Sequence, residues 1–303
     1  MRIKLKKTAM AAGIGLAVVI PLLVFLAHSP VLVVTDHSFV LLYGASKIRA
    51  EAFRSSLVLF RLVKSVIVAD DVGEDIVQFA IAEVSKRPFC VIFPLRFAQA
   101  ARLYREQNPQ VPVVLLEGRY AEGANPAASA LGGGNMEDYF LYKTDITADF
   151  YLAALAAAVL DGEKNGRIAV FLESHLQVQA REAFLKALND IKKPLQTSFF
   201  TSFSQFSGIS DLSCVVLAGV GADYLDKYPG VPVIFFTWIN PSLLPVDVVM
   251  VFDDSPWVQS VQAARMVAAR MVKGQIHSGR EILRGRDIDK DTLRKLRNLG
   301  KNE

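Results

Sequence analysis

The sequence predicts an α/β protein built of two similar doubly wound parallel-sheet lobes, preceded by an N-terminal membrane segment. Three observations predict this class. A long uncharged apolar stretch opens the chain, short β-branched runs alternate with helical patterns behind it, and one segment recurs in the second half.

The first element is the uncharged stretch Thr8–Ala27. As a helix it would span roughly 30 Å, about one bilayer core, and basic residues before it predict a cytoplasmic N-terminus. The basic residues are Arg2, Lys4, Lys6 and Lys7. We expect an uncleaved signal-anchor, because a cut after residue 27 would place Phe25 at the minus-three position. A cleaved signal peptide is the alternative, and a buried core helix is a third that the flanking charges disfavour. No cysteine lies near residue 28, which excludes lipoprotein processing.

The strands come next, after the linker His28–Pro30. Ten apolar runs of strand length are Val31–Thr35, Ser65–Ala69, Phe89–Phe93, Val111–Leu116, Tyr139–Tyr142, Arg167–Leu172, Thr197–Thr201, Cys214–Ala218, Val231–Thr237 and Val246–Phe252. Helical patterns cover Glu74–Arg87, Phe97–Glu106, Thr147–Leu160, Val178–Ile191 and Trp257–Lys273. In the first of these helices Ile76, Phe79, Ala80 and Val84 are predicted to share one face. This alternation predicts βαβ units and parallel sheets.

An internal repeat divides the chain. "NPQVPVVLLEG" begins at Asn108 and "YPGVPVIFFTW" at Tyr228, 120 residues later, and each contains the fourth strand of its series. The repeat predicts two lobes of similar topology with a break near Lys143–Asp145.

Charge and cysteine content limit the function classes. The net charge is +4, and the four N-terminal basic residues account for it, leaving 30 basic and 30 acidic residues behind them. This balance gives no support to a nucleic-acid partner. Cys90 and Cys214 lie inside apolar runs, so we favour two buried thiols over a disulfide.

The strand order resembles the type I periplasmic-binding-protein fold. The family includes the solute-binding proteins of ABC importers, among them sugar-binding and basic-membrane-protein (nucleoside-binding) groups, and the sensing domains of LacI-like repressors. The resemblance covers residues 31 to about 286 and is carried by "VLVVTDHSF", "SVIVADD", "FCVIFPL", "VPVVLLEG", "RIAVFLES", "CVVLAGVG", "VPVIFFTW" and "VVMVFDDS". Glu281–Ile288 resembles the returning strand that closes this fold. No helix-turn-helix precedes these segments, which removes the repressor function.

The resemblance implies a hinge and a division of the chain. Residues 1–29 would be the signal-anchor or signal peptide, 30–144 plus 254–278 the first lobe, and 145–253 plus 279–303 the second lobe. It also places Cys90 and Cys214 in corresponding strands of opposite lobes, too far apart for a disulfide.

Ligands of open α/β sheets bind outside the carboxyl ends of the strands. Carboxylates and aromatic rings recur at those ends, and a polar ring such as a sugar or nucleoside uses both. The candidate ligand-binding residues are Asp36, Phe39, Asp70, Glu117, Trp238 and Asp253. Helix capping is the competing role for Asp36 and Asp70, and buried packing is the competing role for Trp238.

Enzyme signatures are missing from the sequence. Neither a G-x-G-x-x-G after the first strand nor a G-x-S-x-G occurs, Gly132–Gly134 lacks the Lys of a P-loop, and the histidines and cysteines show no metal-ligand spacing. We therefore expect no enzymatic activity, cofactor or metal.

The leading hypothesis is an exported solute-binding protein of an ABC importer that binds a small polar ligand by hinge closure. Its partners would be that ligand, an ABC permease, and the membrane through residues 8–27, with the main domain periplasmic or extracytoplasmic. A membrane-tethered ligand sensor or adaptor is the alternative, and a periplasmic enzyme with an unrecognised site is a weaker third.

Overall fold

The structure is a computed structural model. It describes residues 27–119, 126–132, 136–162, 166–193, 195–206, 208–228, 230–283 and 288–299. The expected membrane segment therefore lies outside the described residues, except for Ala27 at its end. Among the described helices, none combines the length and the apolar character needed to cross a bilayer.

Strands and helices alternate along the described chain. The strands are β1 (Val31–Asp36), β2 (Val63–Val68), β3 (Cys90–Pro94), β4 (Val113–Glu117), β5 (Phe140–Thr144), β6 (Arg167–Leu172), β7 (Gln196–Phe200), β8 (Leu212–Ala218), β9 (Val233–Phe236), β10 (Val248–Asp253), β11 (Lys273–Ile276) and β12 (Gly279–Ile282). The helices are α1 (His37–Tyr43), α2 (Ala45–Leu59), α3 (Glu74–Val84), α4 (Ala98–Gln107), α5 (Pro126–Ala130), α6 (Ile146–Asp161), α7 (Gln177–Asp190), α8 (Asp223–Lys227), α9 (Pro256–Ala268) and α10 (Lys290–Asn298).

The strands form two six-stranded sheets. The first has the order β11-β5-β4-β3-β1-β2 and the second the order β12-β10-β9-β8-β6-β7. Every neighbouring pair is parallel except β10 and β12. We call each sheet with its packed helices a lobe. The predicted α/β class with two parallel-sheet lobes is confirmed.

The central strands are buried on both faces, which explains their continuous apolar runs. All six residues of β1 are buried, as are all six of β10. In the second lobe α6 and α7 pack on one sheet face around Phe150, Phe184 and Phe236. In the first lobe α9 packs on one face with its fully buried Trp257.

The chain passes between the lobes three times. It leaves the first sheet after β5 and enters α6, returns from β10 to α9, and crosses again through His277 and Ser278 between β11 and β12. These crossings run side by side near the carboxyl ends of the parallel strands.

Two predicted helices differ from the structure. In α3 the buried residues are Val77 and Ile81, whereas Ile76 and Phe79 are 55% and 67% exposed. The helix carries two adjacent apolar stripes, so the sequence pattern did not distinguish the one that faces the sheet. The helix predicted for Trp257–Lys273 ends at Ala268, because Arg270 takes a left-handed conformation with φ 56° and the chain then enters β11.

The returning strand is also shifted. β12 covers Gly279–Ile282, earlier than the predicted Glu281–Ile288, and residues 284–287 lie outside the described part of the chain. Its two central residues, Arg280 and Glu281, are exposed, so this edge strand lacks the apolar run that marks the interior strands.

The two cysteines lie in the strands that the family resemblance predicts. Cys90 begins β3 and Cys214 lies in β8, the third strand of each lobe, and both are buried free thiols.

Candidate functional site

A cavity of about 520 Å³ lies between the lobes at the carboxyl ends of the first sheet. The first lobe supplies most of its lining, the second lobe supplies Trp238, and the crossing before α9 and the first turn of α9 supply the rest. The lining residues are Phe39, Pro94, Leu95, Arg96, Leu116, Gly118, Arg119, Ala130, Trp238, Asp254, Ser255, Pro256 and Gln259. This is the edge where ligands of open α/β sheets bind.

An aromatic wall bounds the cavity. Phe39 in α1 stacks on Trp238 with ring centroids 4.8 Å apart, and on Tyr43 at 5.0 Å. Phe39 and Tyr43 are four residues apart, so they share one face of α1. Phe39 is only 4% exposed, whereas Trp238 is half-buried and offers the larger accessible ring. Because the two rings touch, a ligand ring would lie against the wall rather than between them.

A charged pair flanks the aromatic wall. The Asp36 carboxylate accepts a hydrogen bond from the Phe39 backbone N–H at 2.8 Å and so caps α1. Its other oxygen lies 2.7 Å from the Arg96 guanidinium, which lines the cavity and is 45% exposed. Asp36 therefore orients Arg96 at the mouth of the cavity, and Arg96 keeps donors available for a ligand.

Arg119 occupies the centre of the site. Its side chain is buried and donates to Asp149 at 2.8 Å and to the Ser278 hydroxyl at 2.7 Å. Its backbone N–H donates to Asp254 at 2.9 Å, and its guanidinium lies 4.5 Å from the Phe236 ring centroid. Asp149 begins the second lobe, and Asp254 and Ser278 belong to the other crossings. One arginine thus joins all three crossings and lines the cavity.

The surroundings of Arg119 perturb one carboxyl group. Burial raises the pKa of Asp149 above its ordinary value, while the Arg119 charge and the Ser278 hydroxyl oppose the shift. The Ser278 hydroxyl also lies 2.5 Å from the Asp149 carboxylate. The group is therefore held by two donors inside a site that disfavours charge.

Gln259 completes the polar lining. It is 1% exposed, and its side-chain amide donates to the Thr144 hydroxyl at 3.0 Å. The amide oxygen is the acceptor that remains for a ligand hydroxyl.

The structure brings two of the six sequence-predicted residues, Phe39 and Trp238, into the cavity lining, and Asp36 reaches it through Arg96. Asp70, Glu117 and Asp253 do not line it. Asp70 is exposed and accepts from the Ser38 backbone N–H and hydroxyl, contacts that lower its pKa.

The other two predicted carboxylates are buried in other contacts. Glu117 is 3% exposed and pairs with Lys143 at 2.9 Å. Asp253 is 3% exposed, pairs with Lys47 at 3.1 Å and accepts from the Ser255 backbone N–H. In each case other groups occupy the carboxylate, and the next residues along the chain line the cavity instead.

Sequence reasoning missed Arg96, Arg119 and Gln259. Arg96 and Arg119 each lie two residues past a strand end that the sequence marks, so their positions could have been identified although no motif singles out their side chains. Nothing local in the sequence singles out Gln259, which lies in the first turn of α9.

The lobes touch beside the cavity. The Asn240 backbone N–H donates to the Leu42 carbonyl at 2.9 Å, and Lys47 of the first lobe reaches both Asp253 and Glu281 of the second. Gly44 makes this approach feasible. Its φ is +92°, and an added Cβ would lie 2.7 Å from the Asn240 side chain.

Within the described residues no cluster of three His, Cys, Asp or Glu side chains is arranged to hold a metal ion. The site offers aromatic surface, oriented cations and amide groups.

No protein-family model matches the sequence, and no curated protein shows significant similarity to it. Solved structures similar to the chain include type I periplasmic binding proteins, at low sequence identity. One is an ABC transporter periplasmic solute binding protein from Actinobacillus succinogenes 130z with bound D-allose. It is 14% identical, with a TM-score of 0.49, over 88% of this chain and 99% of that one.

A second similar structure is an ABC transporter solute binding protein from Agrobacterium vitis bound with α-D-tagatopyranose. It is 13% identical, with a TM-score of 0.47, over 88% of this chain and 98% of that one. A LacI transcriptional regulator from Rhodococcus species is 14% identical, with a TM-score of 0.43, over 82% of this chain and 94% of that one. Because identities and scores are this low, the function has to be inferred from this chain's own residues.

Proposed function

We propose that this protein binds a small polyhydroxylated ring, a sugar or a sugar-like solute, in the cavity between its lobes. The observation that carries the proposal is the Trp238 and Phe39 wall facing Arg96, Arg119 and Gln259 across a cavity of about 520 Å³. That volume lies in the range of small-molecule sites, roughly 300–1,000 Å³.

The chemistry of the lining suits such a ligand. The accessible Trp238 ring covers the apolar C–H face of a sugar, and the partly exposed Arg96 guanidinium donates to its ring and hydroxyl oxygens. The Gln259 amide oxygen accepts from hydroxyls. The guanidinium groups of Arg96 and Arg119 are each paired with a carboxylate, so the site favours a neutral ligand over a free anion.

Binding would favour contact between the lobes. Trp238 comes from the second lobe and the remaining wall from the first, so a ligand touching both gains contacts when the lobes approach. Arg119, which joins the three crossings, would transmit ligand contact to the segments that flex.

We further propose that residues 8–27 hold the domain at the extracytoplasmic face of a membrane, where it supplies solute to an ABC permease. A membrane-tethered sensor is the second candidate. The observation that favours it is the shortness of the linker, since only His28–Pro30 separates the apolar stretch from β1. A domain held this close to the membrane surface is well placed to contact one partner protein that stays in the same membrane.

The test is a calorimetric titration of the full chain with aldoses, ketoses, polyols and nucleosides, including D-allose and α-D-tagatopyranose. We expect saturable binding of one class. Trp238→Ala should weaken it by roughly 5- to 150-fold, from the loss of about 1–3 kcal/mol of ring contact.

The matched control is Tyr228→Ala. Tyr228 is another half-exposed aromatic residue of the second lobe, and it lies outside the cavity lining. The control should bind with wild-type affinity. Equal weakening by both variants, or no binding by any class, would remove the proposal.

A further inference from the structure

The edge of the first sheet opposite the cavity has a distinct composition. Its strands start there in the order β11, β5, β4, β3, β1 and β2, all parallel. Six strands span roughly 24 Å at the usual strand spacing. We call this surface the entry edge, defined by the described loops 27–30, 60–62, 85–89, 108–112, 136–139 and 269–272.

The N-terminal segment leaves the domain from this edge. The Ser29 carbonyl accepts from the Arg61 guanidinium at 2.7 Å, and the Pro30 carbonyl accepts from the Phe89 backbone N–H at 2.7 Å. The chain is therefore fixed to the fold up to Ser29. The four residues 27–30 reach at most about 14 Å from β1.

The entry edge is basic. Its six described loops carry Arg61, Lys86, Arg87 and Arg270 against two acidic residues, Glu137 and Asp138, both in the loop before β5. Asp138 lies 3.9 Å from Arg105, and the loops together keep a net positive charge. The corresponding described loops of the second lobe are balanced, since they carry Lys192, Lys193, Asp211 and Asp247. The positive charge is thus specific to the edge that bears the N-terminal segment.

The entry edge also exposes apolar side chains. Phe60 is 73% exposed although it ends α2 in a left-handed conformation with φ 50°, a position that favours glycine or asparagine. Neither packing nor backbone geometry accounts for a phenylalanine there.

Met271 and Val272 are 49% and 42% exposed. Their carbonyls accept from the Tyr142 hydroxyl and the Leu141 backbone N–H, so the backbone is fixed while the side chains face outward.

We propose that the entry edge docks on the surface of an anionic lipid bilayer, with Phe60, Met271 and Val272 in the headgroup region and the basic residues against lipid phosphates. Protein surfaces that contact the membrane interface typically combine apolar side chains with basic residues. The proposal rests on the membrane attachment of residues 8–27 proposed above. It orients the molecule with the first lobe on the bilayer and the cavity on the side of the sheet away from it.

The experiment uses the full chain in lipid nanodiscs. A polarity-sensitive fluorophore is attached to Phe60→Cys, and in a separate protein to Val178→Cys on the second lobe. The two positions are matched in exposure, 73% and 72%. The native thiols are buried, and the unsubstituted chain measures background labelling. Quenching by nitroxide lipids is measured in phosphatidylcholine discs with and without phosphatidylglycerol.

We expect strong quenching at position 60 in discs with phosphatidylglycerol, weaker quenching in neutral discs, and none at position 178. Arg87→Gln with Arg270→Gln should shift the docked equilibrium by about 25-fold, since each basic residue at an anionic surface contributes about five-fold. Lys186→Gln with Lys192→Gln, an equal charge change on the second lobe, should have no effect.

The outcomes separate docking from attachment. A chain that enters the nanodisc fraction with equal, weak quenching at both positions overturns the docking and leaves the attachment standing. A chain absent from that fraction overturns the attachment and the docking with it. Sugar titration of the same samples reports on the cavity independently of either result.

Discussion

The replacement Arg119→Met tests whether the buried arginine holds the three interlobe crossings together. Arg119 is 1% exposed, and its partners Asp149 and Asp254 are 2% and 8% exposed. Methionine fills a similar volume without charge, so both carboxylates lose the Arg119 guanidinium. Breaking a buried pair in this way costs about 3–5 kcal/mol.

For a domain of this size, that loss corresponds to a melting temperature about 6–20 °C below wild type. The assay is thermal unfolding followed by circular dichroism at neutral pH. The matched control is Arg54→Met, because Arg54 is exposed and lies 3.7 Å from Glu51 at the surface. An exposed pair contributes about 0–1 kcal/mol, so the control should melt near wild type.

The destabilisation should also depend on pH. Burial already raises the pKa of Asp149, and removing Arg119 raises it further. An acid with a raised folded pKa binds its proton more readily in the folded state, so the variant recovers stability as pH falls. Two results would refute this reasoning: a melting temperature for Arg119→Met equal to that of Arg54→Met, or a larger loss of stability in Arg119→Met at acidic pH.

Three further predictions concern separate parts of the molecule. Gly44→Ala should lower the melting temperature, because φ +92° strains alanine and its Cβ would press on Asn240; Gly73→Ala, with open space, is the control. By NMR the pKa of Asp70 should lie below its usual 3.8, and Ser38→Ala should move it back toward that value. Because the folded pKa is lowered, the Ser38 contacts stabilise the fold above pH 3.8, and this stability is lost as pH falls through the lower folded pKa. Burial raises the pKa of Cys90 to about 12, so Cys90 should resist thiol reagents until the chain unfolds; reaction in the folded state would contradict this.

The sequence predicted the sheets well because buried parallel strands have a strong local signature. β1, β6 and β8 are continuous apolar runs, and turn residues separate them from the helices. The repeated Pro-x-Val-Pro-Val segment marked β4 and β9, which are the fourth strands of their lobes.

The helix α2 was not predicted as a separate element, and its packing explains why. Only Ile48, Ser55 and Ser56 are buried along its fifteen residues, while Phe53 and Leu57 are 66% and 54% exposed. Its apolar residues do not mark a buried face, so the usual periodic signal is absent.

The sequence predicted where the candidate cavity lies but only part of its lining. Strand ends identify where side chains gather, and two residues predicted in this way, Phe39 and Trp238, line the cavity. The contacts of Arg119 join residues 30 and 159 positions away in the chain, and no local pattern encodes such pairs. The sequence marks the acidic residues at strand ends just as clearly, but it does not show their partners. Glu117 pairs with Lys143 and Asp253 with Lys47, and neither carboxylate lines the cavity.

Tryptophan fluorescence tests the central claim, ligand binding at the aromatic wall, most directly. The chain has two tryptophans: Trp257, in the first turn of α9, is fully buried, whereas Trp238 lines the cavity. We predict that one sugar or sugar-like solute changes the emission saturably, and that Trp238→Phe abolishes the change while calorimetry still detects binding. Unchanged emission with every solute, or the same change in Trp238→Phe, would contradict the account.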